Sequence, residues 1–157
     1  MRTTARNPRP RRLQANPDRI AATTNATSPL RRDLEAVSRA LQGLHKQILE
    51  AEGAYHPGRS SLELLDRLLN DPNWAWLRAL SQLITDLDEQ LAGSDEMTSS
   101  FAGAAAGRVR ALVFGLGEPR DEQFLNRYRP LLQESAAVAS AHGELKGRVD
   151  ALKAYLV

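Results

Sequence analysis

The chain has 157 residues, of which 42% are hydrophobic and 25% charged, and its net charge is +2. This size and composition predict one soluble globular domain. The absence of cysteine excludes a disulfide framework, a thiolate metal site and a cysteine nucleophile. No apolar run approaches the roughly 18 residues of a membrane-spanning helix, and no apolar stretch of a secretory signal follows the basic start. We therefore expect a cytoplasmic protein without membrane contact.

The first 27 residues differ from the rest of the chain in charge. They contain six arginines and one aspartate, a net +5, whereas the remaining residues carry 15 basic and 18 acidic side chains, a net −3. Large apolar residues are few, and Pro8, Pro10 and Pro17 oppose a helix, so we predict a disordered arm. An organellar transit peptide is less favoured because of these prolines. The arginines predict weak, sequence-independent contact with nucleic-acid phosphates.

The first helix is predicted to begin at Ser28-Pro29, because serine is favoured as an N-cap and proline at the first helical position. The apolar residues that follow are spaced alternately by four and three positions, which is the period of one helical face. They are Leu30, Leu34, Val37, Leu41, Leu44, Ile48, Ala51 and Tyr55. The stretch His56-Pro57-Gly58 is expected to end this helix.

A short leucine-rich helix is predicted to follow Ser60, which has the spacing of a capping box with Glu63. Asn70-Asp71-Pro72 predicts the end of that helix and the start of a third, with Asp71 as its cap. The third helix is expected to end at Gly93-Ser94-Asp95.

Trp74 and Trp76 lie near the start of this third helix. Residues two positions apart diverge by about 200° around a helix. Only one of the two tryptophans is therefore expected to be buried.

A fourth helix is predicted to start at Thr98 or Ser99 and to end at Gly115 to Gly117. It contains a Gly-x-x-x-Gly motif formed by Gly103 and Gly107. Small residues at this spacing let helices approach closely, so another helix is expected to pack here.

Two further helices complete the chain. The fifth is predicted to start at Pro119 with Asp121 and Glu122, whose charges suit the positive end of the helix dipole. Pro130 falls inside this helix and is expected to kink or end it. The last helix is predicted to begin at about Ser135.

No segment alternates with the period of a strand, and no hairpin signal occurs. The sequence therefore predicts an all-α protein, an up-and-down helical bundle of four main helices plus one or two short helices. Residues 28–157 are expected to form this single domain behind the arm of residues 1–27.

Polar side chains border the apolar face of the first helix. His45, Glu52 and Tyr55 lie at helical spacing along this border, and Asp86 of the third helix should lie at a similar depth. We predict that these four residues line one ligand-binding cleft, where a histidine near a carboxylate can transfer a proton. The alternative is that Glu52 and Asp86 are solvated or paired with nearby arginines.

Recognisable catalytic and metal-binding motifs are missing from the sequence. Neither Glu-x-x-His nor His-Glu-x-x-His occurs, and there is no Gly-x-Ser-x-Gly. We predict no metal and no cofactor. His142 lies on an apolar stripe and is expected to be a core or boundary histidine with one hydrogen bond.

The block LHKQILEAEGAYHPGRSSLELLDRLLNDPNWAWLRALSQLITDLDE resembles small uncharacterised helical proteins of bacteria. The similarity rests on a His-Lys, a Glu and a Tyr in the first helix, a leucine-rich turn, Asn-Asp-Pro, Trp-Leu-Arg and Leu-Asp-Glu. It spans residues 44–91, with weaker similarity around residues 124–132. The resemblance implies a standalone helical domain and no particular activity.

Wide apolar helix faces without a catalytic motif favour a protein that binds a protein partner or itself. The main alternative is a ligand- or metal-binding bundle, possibly enzymatic, that uses His45, Glu52 and Asp86. A third hypothesis is weak association with nucleic acid through the arm.

Deletion of residues 1–27 is predicted to change the melting temperature by no more than a few degrees, because a disordered segment contributes little packing. Thermal denaturation of the full-length and truncated proteins, followed by circular dichroism, measures this difference. A large loss of stability in the truncated protein would show that the arm docks on the body.

Overall fold

The computed structural model describes residues 28–53, 58 and 60–156. Helix α1 spans Pro29–Ala51, α2 Ser61–Asn70, α3 Arg78–Gly93, α4 Ser99–Val109, α5 Glu122–Glu134 and α6 Ala136–Ala151. Three short segments adjoin them: a 3-10 segment, Pro72–Leu77, a π-helical segment, Arg110–Phe114, and a final 3-10 turn, Leu152–Tyr155. No strand occurs in the described ranges, so the all-α prediction is confirmed. The predictions for residues 1–27, Tyr55 and His56 lie outside the described residues.

Side-chain caps start most of the helices where the sequence predicts them. Ser28, Ser60, Thr98, Asp121 and Ser135 each accept a hydrogen bond from the backbone N–H three residues later. Each bond satisfies a backbone donor that has no partner inside its helix. Local sequence therefore determines these five helix starts.

The segment after Asp71 differs from the prediction in its helix type. Asp71 caps it as expected, but Pro72–Leu77 forms a 3-10 segment and α3 begins only at Arg78. Trp76 is 4% exposed, whereas Trp74 is only partly buried. This confirms that one of the two tryptophans is buried.

Pro130 does not end the helix in which it lies. Helix α5 continues past it to Glu134. Proline lacks a backbone donor and removes one hydrogen bond of the helix. Burial of Leu131, in the same turn, offsets this loss by packing.

The end of α4 widens into the π-helical segment and then turns at Gly115. This glycine has φ of +65°, a left-handed conformation that favours glycine. A Cβ atom there would lie 3.1 Å from the Arg129 side chain and 3.3 Å from that of Leu125. Conformation and close packing together therefore require glycine at this turn.

Helix α1 supplies the centre of the core. Leu34, Val37, Leu41, Leu44 and Ile48 are completely buried. The most extensive helix packing is between α1 and α6, followed by that between α1 and α3.

Polar contacts show that both neighbours of α1 run antiparallel to it. Arg31 near the start of α1 donates to the carbonyl of Leu91 at 2.8 Å, near the end of α3. Further along α1, His45 is bonded to Ser81, near the start of α3. On the α6 side, the hydroxyl of Tyr155 donates to Asp33 at 2.7 Å.

Among the described residues, no helix combines the length and the apolar character needed to cross a membrane.

Leu41→Ala is predicted to destabilise the protein by about 3 kcal/mol, because it leaves a cavity at a completely buried position. Leu62→Ala is the matched control, since Leu62 is 77% exposed, and should change stability by less than about 0.5 kcal/mol. Urea denaturation of both variants measures the difference. Equal losses in the two variants would contradict the assignment of the core to this face of α1.

Candidate protein-interaction surface

His45 is placed in the contact between α1 and α3. Its Nε2 atom lies 2.9 Å from the hydroxyl of Ser81 in α3. Burial lowers the pKa of His45, because it penalises the charged imidazolium. His45 is therefore a neutral side chain that packs between α1 and α3 and is held by one hydrogen bond to Ser81.

Glu52 follows the last residue of α1 and points to α5. Its carboxylate lies 3.9 Å from the guanidinium of Arg127. The same guanidinium lies 5.7 Å from the centre of the Trp76 ring, within the range of a cation–π interaction. These contacts join the end of α1, the 3-10 segment and α5.

Asp86 lies on the side of α3 that faces α4. Arg108 of α4 donates to its carboxylate at 2.7 Å, and Gln82 donates at 2.7 Å. The hydrogen bond from Arg108, followed by that from Gln82, lowers the pKa of Asp86. Pairing with an arginine is the alternative that the sequence left open, and here it joins α3 to α4.

The structure does not bring His45, Glu52 and Asp86 together. Their partners belong to α3, α5 and α4 respectively. Within the described ranges, no hydrogen bond or ion pair joins any two of the three. The reason is helical geometry: Ser81 and Asp86 are five residues apart, which places them about 140° apart around α3. The shared cleft is therefore not supported by the contacts.

Among the described residues, no group of three or more His, Asp or Glu side chains is arranged to hold a metal ion.

His142 contacts the aromatic part of the core. Its Nδ1 atom lies 2.7 Å from the hydroxyl of Tyr128 in α5, which confirms the predicted single hydrogen bond. Tyr128 is completely buried and packs on Phe124 with ring centres 5.1 Å apart. Burial raises the pKa of Tyr128 and, with Lys146 as the smaller cause, lowers that of His142. Both side chains are thus neutral near pH 7 and join α5 to α6.

A second polar cluster, which the sequence did not indicate, joins α1 to α3. The hydroxyl of Ser38, which is buried, donates to Asp88. Gln42, one turn later on α1, donates to Asp88 at 3.1 Å. The spacing of Ser38 and Gln42 was the one available signal, but nothing in the sequence specified Asp88 as their common acceptor.

Exposed apolar residues are concentrated on α2. This helix has no buried residue, and Leu62, Leu65 and Leu69 are 77%, 51% and 57% exposed. Their spacing of three and four places them on one side of the helix, which we call the leucine face. Leu64 and Leu68 contact the core, so α2 buries only one edge of its apolar side.

Arg78 holds the carboxyl end of α2 on the body. Its guanidinium donates to the carbonyl of Leu69 at 2.6 Å, where the helix leaves carbonyls without internal partners. The helix also packs on the 3-10 segment Pro72–Leu77. The leucine face is therefore presented by a helix that is held at its end and along one edge.

A cleft of about 410 Å³ lies between α3 and α4, and no residue of α2 lines it. Its walls include Ala79 and Leu83 of α3, Ala104 and Gly107 of α4, and Glu118 of the following loop. A Cβ atom added at Gly107 would meet nothing within 4 Å, whereas one at Gly103 would touch Leu156 at 3.4 Å. The expected close helix approach at this motif is thus wrong for Gly107, which opens the cleft instead.

No protein-family model, curated protein or solved structure matches the chain.

Stability is predicted to fall as the pH is lowered from 7.5 to 5.5. His45 and His142 have lowered pKa values in the folded protein, so the unfolded chain binds more protons once the pH falls below about 6.5. Their contribution is fully present above that pH and is lost below it. Urea midpoints at both pH values measure the effect, and the double variant His45→Gln/His142→Gln should show a smaller change. A pH dependence of the same size in the double variant would contradict this assignment.

Proposed function

We propose that the protein acts by binding a second protein through the leucine face of α2. The observation that carries this proposal is the exposure of Leu62, Leu65 and Leu69 on a helix without a single buried residue. Isolated apolar side chains on a surface are ordinary, whereas contiguous ones mark interaction sites. Three leucines along two turns form a contiguous row.

The partner element that fits this face is an amphipathic helix. A row of leucines at helical spacing packs against apolar residues of a second helix at the same spacing. Glu63 and Asp66 are the charged residues of α2 nearest to the leucine face, and both are acidic, while the one basic group placed at this face by its contacts is Arg78, at the Leu69 end. A partner helix with lysine or arginine beside its apolar stripe would complement them.

A second copy of α2 is a less suitable partner for the same reason. In an antiparallel pair of α2 helices centred on Leu65, Asp66 of one copy would lie close to Asp66 of the other. Like charges placed together oppose association. The acidic border therefore favours a different protein with a basic border.

We also propose that the helices form an up-and-down bundle and that the protein is cytoplasmic. The antiparallel contacts of α1 with α3 and α6 support the up-and-down arrangement. The contacts of His45 and Asp86 support structural roles for these residues, so they have no part in the proposed function.

The proposal can be tested with a synthetic amphipathic peptide of about 18 residues, long enough to be helical in water, with a leucine stripe bordered by lysines. We expect it to bind the protein, and Leu65→Ser to weaken binding at least about tenfold by removing the central apolar contact. Fluorescence anisotropy of the labelled peptide measures the dissociation constants.

Two controls distinguish this contact from nonspecific hydrophobic binding of the peptide. Leu116→Ser removes a leucine outside α2 that is 61% exposed and should leave the affinity within about twofold. A peptide with glutamates in place of the lysines should bind more weakly, because it meets Glu63 and Asp66. Equal binding by both peptides, or equal losses in both variants, would contradict the proposal.

A further inference from the structure

The cleft between α3 and α4 has the size and the lining of a binding site for an apolar group. Its volume is about 410 Å³, whereas a cavity of about 150 Å³ already holds a molecule the size of benzene. Ala104, Gly107 and Ala111 form one wall, and Leu83 contributes to the opposite one. The small side chains of the first wall leave room for an aliphatic side chain from outside.

An exposed leucine lies beside this cleft. Leu116 is 61% exposed and is the only large, mainly exposed apolar residue outside α2 among those described, apart from Leu156 at 37%. It is two residues from Glu118, which lines the cleft, so its Cα atom is within about 7.6 Å of that wall. An exposed apolar side chain and an open, mainly apolar cleft are thus close neighbours along the chain.

From this juxtaposition we infer that two copies of the chain associate through this surface, each inserting Leu116 into the other copy's cleft. A two-fold symmetric contact requires one patch that complements itself, so the group that protrudes and the cleft that receives it must be neighbours on the same chain. Leu116 and the cleft meet this requirement. No residue of the leucine face lines this cleft.

The charges around the cleft permit this contact. Arg108 and Glu118, which both line the cleft, carry opposite charges, and Arg108 forms an ion pair with Asp86 at 2.7 Å. The border therefore carries both signs of charge, in contrast to the acidic border of the leucine face. A surface of mixed charge can meet its own copy without net repulsion.

The association is expected to be weak. A stable dimer buries about 800 Å² of each partner, and a contact centred on one leucine per copy is smaller. We expect a dissociation constant of about 1–100 μM, which sedimentation equilibrium of the full-length protein can measure.

Two single variants remove the two halves of the contact. Leu116→Ser removes the inserted side chain and leaves the cleft open, while Gly107→Leu fills the cleft from a position with free space around it. Each variant alone should dimerise at least about tenfold more weakly than the original protein. Gly143→Leu, at a glycine of α6 that also has nothing within 4 Å of its Cβ position, is the matched control and should dimerise normally.

Mixing the two variants gives the decisive measurement. The Gly107→Leu protein still carries Leu116, and the Leu116→Ser protein still has an open cleft, so a mixed dimer regains one of the two contacts. The mixture should therefore associate more tightly than either variant alone, which fluorescence energy transfer between differently labelled variants can follow. Circular dichroism should show unchanged helix content in all variants.

Three results would overturn the inference. The first is a protein that stays monomeric up to about 1 mM, above the range expected here. The second is a dimer that Leu65→Ser disrupts and Leu116→Ser does not, which would move the contact to α2. The third is a mixture of folded variants that associates no better than its components.

Discussion

The rest of the structure depends on the burial of one face of α1 along almost its whole length. Five of its aliphatic side chains are completely removed from water, and each contributes about 1.5–3 kcal/mol by that transfer. A single helix cannot cover its own apolar face, so α3 and α6 must lie against it. Their positions in turn place α4 and α5, which pack mainly on these two helices and on the short segments beside them.

Polar side chains at the edges of this packing connect neighbouring helices. Ser81, Asp88 and His142 each bond to a residue of a different helix. Arg31 of α1 donates to carbonyls at the end of α3, a place where such groups lack partners within their own helix. These contacts satisfy polar groups that packing would otherwise leave without partners, and they fix how the helices are aligned along their axes.

The sequence predicted the local features of the fold well. Helix starts depend on a cap and the three residues after it, so Ser28, Ser60 and Ser135 could be recognised without any tertiary information. The start and most of the length of α1 followed from its apolar spacing, but the helix ends at Ala51 and not after Tyr55 as predicted. Glu52 is its C-cap, and Gly53 has a positive φ, which breaks the helical conformation one turn early. The 3-10 form of residues 72–77 and the π-helical end of α4 were not predicted, because both depend on how neighbouring elements pack around Trp76 and Gly115.

The candidate site was harder to predict from the sequence. His45, Glu52 and Asp86 were chosen because they border apolar faces, and a border residue can face either of two neighbouring helices. Helical spacing gives the angle of a side chain around its own axis, but not which helix lies in that direction. The cleft beside Gly107 was missed for a related reason, since a Gly-x-x-x-Gly motif has the same spacing whether or not another helix fills the space.

Because α2 buries only one edge of its apolar side, its local stability should be lower than that of the core helices. A helix of ten residues is marginal in water, and α2 is supported along one edge by Leu64 and Leu68, by the adjoining 3-10 segment and by the bond between Arg78 and Leu69. Its amides should therefore exchange with solvent deuterium at a much lower opening free energy than those of α1. A ligand that covers the leucine face would bind only the helical form of α2. Part of its binding free energy would therefore stabilise this helix against local unfolding. Binding at this surface would then slow amide hydrogen exchange in residues 61–70, while the exchange rates of the core helices stay the same.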